Sequence, residues 1–136
     1  MANTLYDFAR QRFLEGQFNW LTDTIKVYLV NSNAYTVQTA IHQYLSDISQ
    51  SARIAGPVTL TAKSTAGGAA DAADCTFTSV GGSNAIHAIV IYRDTSTEGT
   101  SPLIAYIDTA TGLPITPNGG DIIVTWDNGV NKIFKV

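Results

Sequence analysis

The chain has 136 residues, with 11 acidic and 8 basic side chains and a formal net charge of −3 at pH 7. This length suits one domain over residues 1–136, and neither the charge nor any basic cluster favours nucleic-acid binding. Charged residues make up 14% of the chain, against about 25% in typical globular proteins, which favours a surface partly covered by partners.

The first 50 residues predict a helix, a strand and a second helix. Thr4 and Asp7 resemble a capping box ahead of apolar residues at helical spacing, and Gly16 ends this run. Residues 24–31 are β-branched and aromatic on both faces, which predicts a strand covered on both sides. A helical stripe then predicts a second helix over residues 36–49, with Val37, Ile41, Tyr44, Leu45 and Ile48 on one face.

From Ile54 onward the pattern changes to short β-type segments separated by Gly, Pro and Asn, and residues 51–136 are predicted to form the main β-sandwich. We expect the Ala- and Gly-rich stretch from Ser64 to Asp74 to be an exposed loop, because it offers little side-chain area to bury. The spacing favours an antiparallel β-sandwich, jelly-roll-like, on which the helix-strand-helix segment 1–50 packs. The predicted strands are Val58–Ser64, Cys75–Val80, Asn84–Asp94, Pro102–Asp108 and a closing hairpin over Asp121–Val136.

The predicted closing hairpin is apolar on both faces. A turn at Asn128–Gly129 would pair Val124 with Ile133 on one face and leave Ile123 beside Phe134 on the other. Either the N-terminal helix covers this second face or a neighbouring subunit does. The strand Ala88–Tyr92 is also apolar on both faces, which favours a neighbouring subunit as the cover for part of this apolar surface. The candidate interface residues are therefore Ile123, Phe134, Val136, Ile89 and Ile91.

Residues that could carry chemistry are few. His42 and His87 have no neighbouring ligands at metal-binding spacing, and a buried structural role suits the single cysteine, Cys75. Acidic pairs such as Asp71 with Asp74, and Asp94 with Glu98, match no calcium loop, and the Gly-Gly pairs match no phosphate-binding loop. We therefore expect no catalytic residue, metal, cofactor or small-molecule substrate.

Targeting signals are also missing from the pattern. The apolar run Ala88–Tyr92 is far too short for a membrane span, and the opening residues MANTLYDFAR lack the basic start and the apolar stretch of a signal peptide. We expect no membrane partner and a chain that is made and assembled in the cytoplasm.

Three stretches resemble a family of small tailed-phage virion proteins, of the kind that serve as capsid decoration or cement proteins. They are FLEGQFNWLTDTIKVYLVN, IHQYLSDIS and SPLIAYIDTATGLPITPNGGDIIVTWDNGVNKIFKV, and the likeness is weakest across Thr65–Asp74. The resemblance implies a non-enzymatic protein on the capsid exterior, bound to the major capsid protein. It also implies a homo-oligomer, a dimer or a trimer, that bridges capsid subunits.

Two other classes of function stay open at this point. A tail- or fibre-associated β domain could bind a carbohydrate if Trp20, Trp126 or Tyr106 were exposed for stacking on sugars. An enzyme would require His87, Cys75 and a carboxylate to converge in one pocket. Burial of the three aromatic residues would reject the first alternative in this form.

Overall fold

The computed structural model describes residues 4–109, 112–126, 129 and 132–135. In this part of the chain a single α-helix, α1 (Asp7–Leu14), accompanies antiparallel strands and three short 3-10 turns at Leu45–Asp47, Gln50–Ala52 and Glu98–Thr100. The strands are β1 (Thr4–Leu5), β2 (Ile25–Val30), β3 (Arg53–Thr59), β4 (Ser64–Ala66), β5 (Ala69–Asp71), β6 (Cys75–Phe77), β7 (Ala88–Arg93), β8 (Leu103–Ile107), β9 (Ile122–Val124) and β10 (Phe134–Lys135).

A five-stranded sheet in the order β1-β8-β7-β2-β3 forms the centre of the molecule. Its middle strands β2, β7 and β8 coincide with predicted strands, and their residues are almost all buried. Two smaller sheets, β10-β5-β4 and β6-β9, complete the fold. The prediction of a mainly β, antiparallel fold with a short N-terminal helix is confirmed, whereas the jelly-roll arrangement stays a prediction.

The N-terminal helix forms where the apolar spacing predicts it, but its cap is different. Tyr6 is the N-cap residue, and it caps without a side-chain hydrogen bond. Thr4 belongs instead to β1, where it lies opposite Tyr106, and the Tyr6 N–H donates to the Ile104 carbonyl over 3.0 Å. The predicted capping box is therefore wrong, because pairing with β8 holds the residues that precede the helix.

The predicted second helix over residues 36–49 is wrong. A turn at residues 39–41 and the 3-10 turn Leu45–Asp47 occupy this segment instead. The Asp47 carboxylate accepts the backbone N–H groups of Gln43 and Tyr44, over 2.7 and 3.0 Å. The Leu45 N–H donates to the Ser101 carbonyl over 2.9 Å. Hydrogen bonds to the residues just before β8 therefore replace those of a helix.

The Ala- and Gly-rich stretch from Ser64 to Asp74 is not a plain loop, contrary to our expectation. It contains the hairpin of β4 and β5, and β5 also pairs with β10 so that Ala70 lies opposite Phe134. Ala69 and Ala70 are buried. Their small side chains leave room for the neighbouring elements, so the composition that predicts a loop serves close packing here.

The predicted closing hairpin is also wrong for the residues that the structure describes. Val124 lies opposite Cys75 in the β6-β9 sheet, not opposite Ile133, and Phe134 lies opposite Ala70. The Trp126 backbone N–H donates to the Asp74 carboxylate and its indole N–H to the Ala73 carbonyl, each over 3.1 Å. These bonds hold β9 against the 73–77 segment. Asn128 and its predicted turn lie outside the described residues.

Candidate functional site

Phe134 lies against the N-terminal part of its own chain. Its ring centroid is 6.0 Å from that of Phe13 and 5.3 Å from that of Trp20, in tilted and edge-on geometry. Phe13 in turn meets Phe18 edge-on at 5.0 Å. The sequence leaves open whether the N-terminal helix or a neighbouring subunit covers the second apolar face of the predicted hairpin. For Phe134, the N-terminal segment of the same chain provides this cover.

Ile89 and Ile91 lie in the core and are only 1% and 0% exposed. On the opposite side of the same strand, Val90 and Tyr92 are equally buried. The prediction that Ile89 and Ile91 belong to an interface is therefore wrong, because the protomer itself covers both faces of β7. Val136 lies outside the described residues.

Ile123 behaves differently, since 64% of its surface is exposed. Its neighbours in β9 turn inward: Val124 is buried and Ile122 is half-buried against the core. The alternation follows from strand geometry, in which successive side chains point to opposite sides. Of the five candidate interface residues, Ile123 is the one that the described structure leaves open to a partner.

A cleft of about 350 Å³ runs beside β9, and we call it the β9 cleft. Leu29, Ile86 and Ile89 contribute from the central sheet, and the segment 112–115 adds Gly112, Leu113 and Ile115. Residues 121–125 contribute from β9 and its flanks, whereas none of the lining residues comes from β6. The cleft therefore lies on the side of β9 that faces away from its pairing partner.

Hydrogen bonds at the start of β9 fix one wall of the cleft. The Gly119 N–H donates to the Val80 carbonyl over 2.7 Å, and the Val80 N–H donates to the Gly120 carbonyl over 2.9 Å. Gly119 has a φ of +90°, a conformation that favours glycine. The Asp121 carboxylate accepts the Ser79 N–H over 2.9 Å. Asp121 supplies the only charge among the described residues that line the cleft.

The aromatic cluster around Phe134 borders a second cleft, also of about 350 Å³. Phe13, Phe18 and Trp20 form much of its lining, and Leu21 lies half exposed at its side. Strands β4, β5 and β10 also line it, with Thr65, Ala70 and Phe134, and the aromatic rings contact one another. The β9 cleft differs in being lined mainly by aliphatic side chains, with no aromatic ring among its described lining residues.

Burial or hydrogen bonds hold the cysteine thiol and the two histidine rings. Burial raises the pKa of the Cys75 thiol to about 11, and the nearby Asp74 carboxylate adds to this shift. Nδ1 of His87 accepts the Ser32 N–H over 3.2 Å, whereas Nδ1 of His42 lies 2.8 Å from the Tyr35 hydroxyl. The described residues contain no group of three His, Cys, Asp or Glu side chains that could hold a metal ion.

The aromatic residues that a sugar-binding site would need are not exposed. Trp20, Trp126 and Tyr106 are all buried. Both indole N–H groups donate to backbone carbonyls, that of Trp20 to Asp71 over 3.0 Å and that of Trp126 to Ala73. The alternative of a carbohydrate-binding domain that stacks sugars on these three side chains is therefore rejected.

No family model matches the chain, and no curated protein matches it either. Within the described ranges, no helix has both the length and the apolar character needed to cross a bilayer.

Proposed function

We propose that this chain is a structural protein of a tailed-phage virion that binds the capsid exterior and bridges capsid subunits. The sequence resemblance to decoration proteins supports the class, and the charge-poor composition fits a protein that hides surface against partners. The structural observation that carries the proposal is Ile123. It is an exposed aliphatic side chain on a strand that borders an open aliphatic cleft.

The surface around Ile123 is small, which fits repeated weak contacts better than one strong contact. Covering an isoleucine and part of the cleft would remove on the order of 100–150 Å² of apolar surface, worth about 3 kcal/mol before ordering costs. A homo-oligomer, dimer or trimer, would present two or three such surfaces to the major capsid protein at once. Linked contacts gain avidity without any increase in the strength of each one.

A non-enzymatic role accords with the state of the chemically capable side chains. Cys75 is buried and its raised pKa keeps it protonated at neutral pH, which suits packing and not nucleophilic attack. The β9 cleft contains one carboxylate and otherwise mainly aliphatic side chains, a lining suited to contact.

Co-sedimentation with undecorated capsids of the phage that encodes the chain tests the proposal. We expect the wild-type protein to sediment with the capsids at a fixed stoichiometry, and cryo-electron microscopy to place it on the outer surface. Ile123→Asp should lose binding at least tenfold. Ile41→Asp is a matched control, because Ile41 is also 64% exposed but lies away from the β9 cleft.

Two results would contradict the proposal. One is a wild-type protein that stays in the supernatant at every capsid concentration. The other is an equal loss of binding in Ile123→Asp and Ile41→Asp, which would remove the β9 surface as the basis of the interaction.

A further inference from the structure

We propose that the β9 cleft binds an extended aliphatic segment of the partner, which adds to β9 as a new strand and places a lysine or arginine against Asp121. The inference rests on the proposed function only for the identity of that partner, a capsid subunit. The binding mode itself follows from the edge of β9, the lining of the cleft and the position of one charge.

The outer edge of β9 is an aliphatic sheet edge. In the described residues β9 pairs with β6 alone, so one side of its backbone has no strand partner. Proteins protect such edges with lysine, proline, bulges or short length. The edge strand β3 has Pro57 and register shifts against β2, β10 has Lys135, and β1 is two residues long. β9 reads Ile-Ile-Val: it is also short, at three residues, but it has no lysine, no proline and no register shift against β6.

The cleft beside this edge suits the alternate side chains of an added strand. Strand addition draws affinity from backbone hydrogen bonds, and specificity from pockets that receive every second side chain. The β9 cleft provides an aliphatic pocket along the edge, with Leu29, Ile86 and Ile89 from the central sheet. Its volume is at the small end of the range of about 300–1,000 Å³ for binding pockets, so it suits a few aliphatic side chains.

Charge selects which aliphatic segment fits. Asp121 begins the edge, is exposed, and is the one charged residue among the described lining residues. A lysine or arginine in the added segment would meet this carboxylate, whereas an acidic segment would be repelled. The Ser79 N–H fixes one carboxylate oxygen, so the charge has a defined position at the end of the cleft.

A second copy of the chain is a poorer occupant of the cleft. Pairing of β9 with its own copy would bring a second Asp121 and no cation from the strand itself. Three-residue strands also bury far less than the total of about 1,200 Å² that stable interfaces need. A basic aliphatic segment of another protein satisfies both the edge and the charge.

Nuclear magnetic resonance titration of the ¹⁵N-labelled protein tests the inference with defined probes. The first probe is a six-residue peptide of alternating valine and threonine with lysine at both ends, and the second has glutamate at both ends. We expect the lysine peptide to shift the amide signals of Ile122, Ile123 and Val124 and to bind about threefold to fivefold more tightly. This preference should shrink as salt is added.

Variants separate the edge from the charge. Asp121→Asn keeps an oxygen for the Ser79 N–H, and it should remove the preference for lysine while retaining binding. Ile123→Asp should weaken both peptides, whereas Ile41→Asp should leave both titrations unchanged. Equal affinity for the two peptides in the wild type would overturn the charge assignment. Absence of shifts in β9 with either peptide would overturn strand addition.

The same samples also show whether a second copy of the chain occupies the cleft, and they separate a failure of strand addition from a failure of the proposed capsid binding. Signals of β9 that move with protein concentration, without peptide, would replace the partner segment by a second copy. Peptide binding without capsid binding would contradict the proposed function alone. Capsid binding that depends on Ile123, combined with no peptide binding, would contradict strand addition alone.

Discussion

The strands β9 and β10 are close in sequence, but their apolar side chains Ile123 and Phe134 lie in different environments. Phe134 in β10 contacts the rings of Phe13 and Trp20, so these residues of the N-terminal segment cover it. Ile123 in β9 stays 64% exposed beside an open cleft. The difference arises because the two strands join different sheets, one with β5 and the other with β6.

This difference shows that a strand apolar on both sides is weak evidence for an interface. Ile89 and Ile91 share that pattern, and the protomer buries them completely. An exposed aliphatic side chain beside an unpaired strand edge is a more selective sign. Such an edge leaves both apolar surface and backbone hydrogen-bonding groups without cover.

Matched aspartate substitutions in the two strands should produce the largest contrast. Phe134→Asp should lower the free energy of unfolding by about 3 kcal/mol, because it removes ring contacts and places a charge against Trp20. Ile123→Asp should cost at most about 1 kcal/mol, since the side chain already faces water. Urea denaturation followed by tryptophan fluorescence measures both values.

A milder substitution keeps the comparison measurable if the Phe134→Asp protein does not fold. Phe134→Leu keeps apolar volume and should lose less than the aspartate variant. If Phe134→Asp and Ile123→Asp had equal unfolding free energies, the two faces would not differ in the way described.

A smaller effect on stability is expected from the thiol of Cys75 in β6, the strand that pairs with β9. Cys75 lies opposite Val124, and burial raises its pKa from 9.0 to about 11. The folded state holds the thiol proton more tightly than the unfolded state, so this contribution to stability is complete below pH 9 and is lost as the pH rises towards 11. Melting temperatures between pH 7 and 11 should therefore fall less steeply in Cys75→Ala than in the wild type.

Thiol reactivity gives an independent check on the same residue. A thiol reagent at pH 8 should leave the native protein unlabelled and should label it fully in urea, because Cys75 is buried. Rapid labelling of the native protein would mean that the β6-β9 sheet opens readily, and it would count against a preformed β9 cleft.

Local pattern predicts those parts of the fold in which neighbours in sequence also decide the packing. The strands β2, β7 and β8 are rich in apolar residues that the central sheet buries, and α1 follows its helical spacing. Residues 36–49 have an equally good helical stripe. There the Asp47 carboxylate and the Ser101 carbonyl accept backbone hydrogen bonds that hold the segment in a non-helical conformation. The spacing of apolar residues along the segment does not encode these bonds.

The same reasoning explains which part of the candidate site was predictable. The sequence predicts Ile123 because this apolar residue lies on the second face of a predicted hairpin. The cleft was not predictable, since Leu29, Ile86 and Leu113 come together only through the pairing of distant strands and the bridge between Ile86 and Ile115. The pairing of β9 with β6 replaced a hairpin that the local sequence favours.

Hydrogen–deuterium exchange of the wild-type protein, free and mixed with undecorated capsids, tests the central claim most directly. We predict that capsids slow exchange in the peptide containing Ile122–Val124, whose outer edge would gain hydrogen bonds, and leave exchange around Phe134 unchanged. Unchanged exchange in β9, with protection appearing in another segment or in none, would contradict the account that the open β9 face is the one another molecule covers.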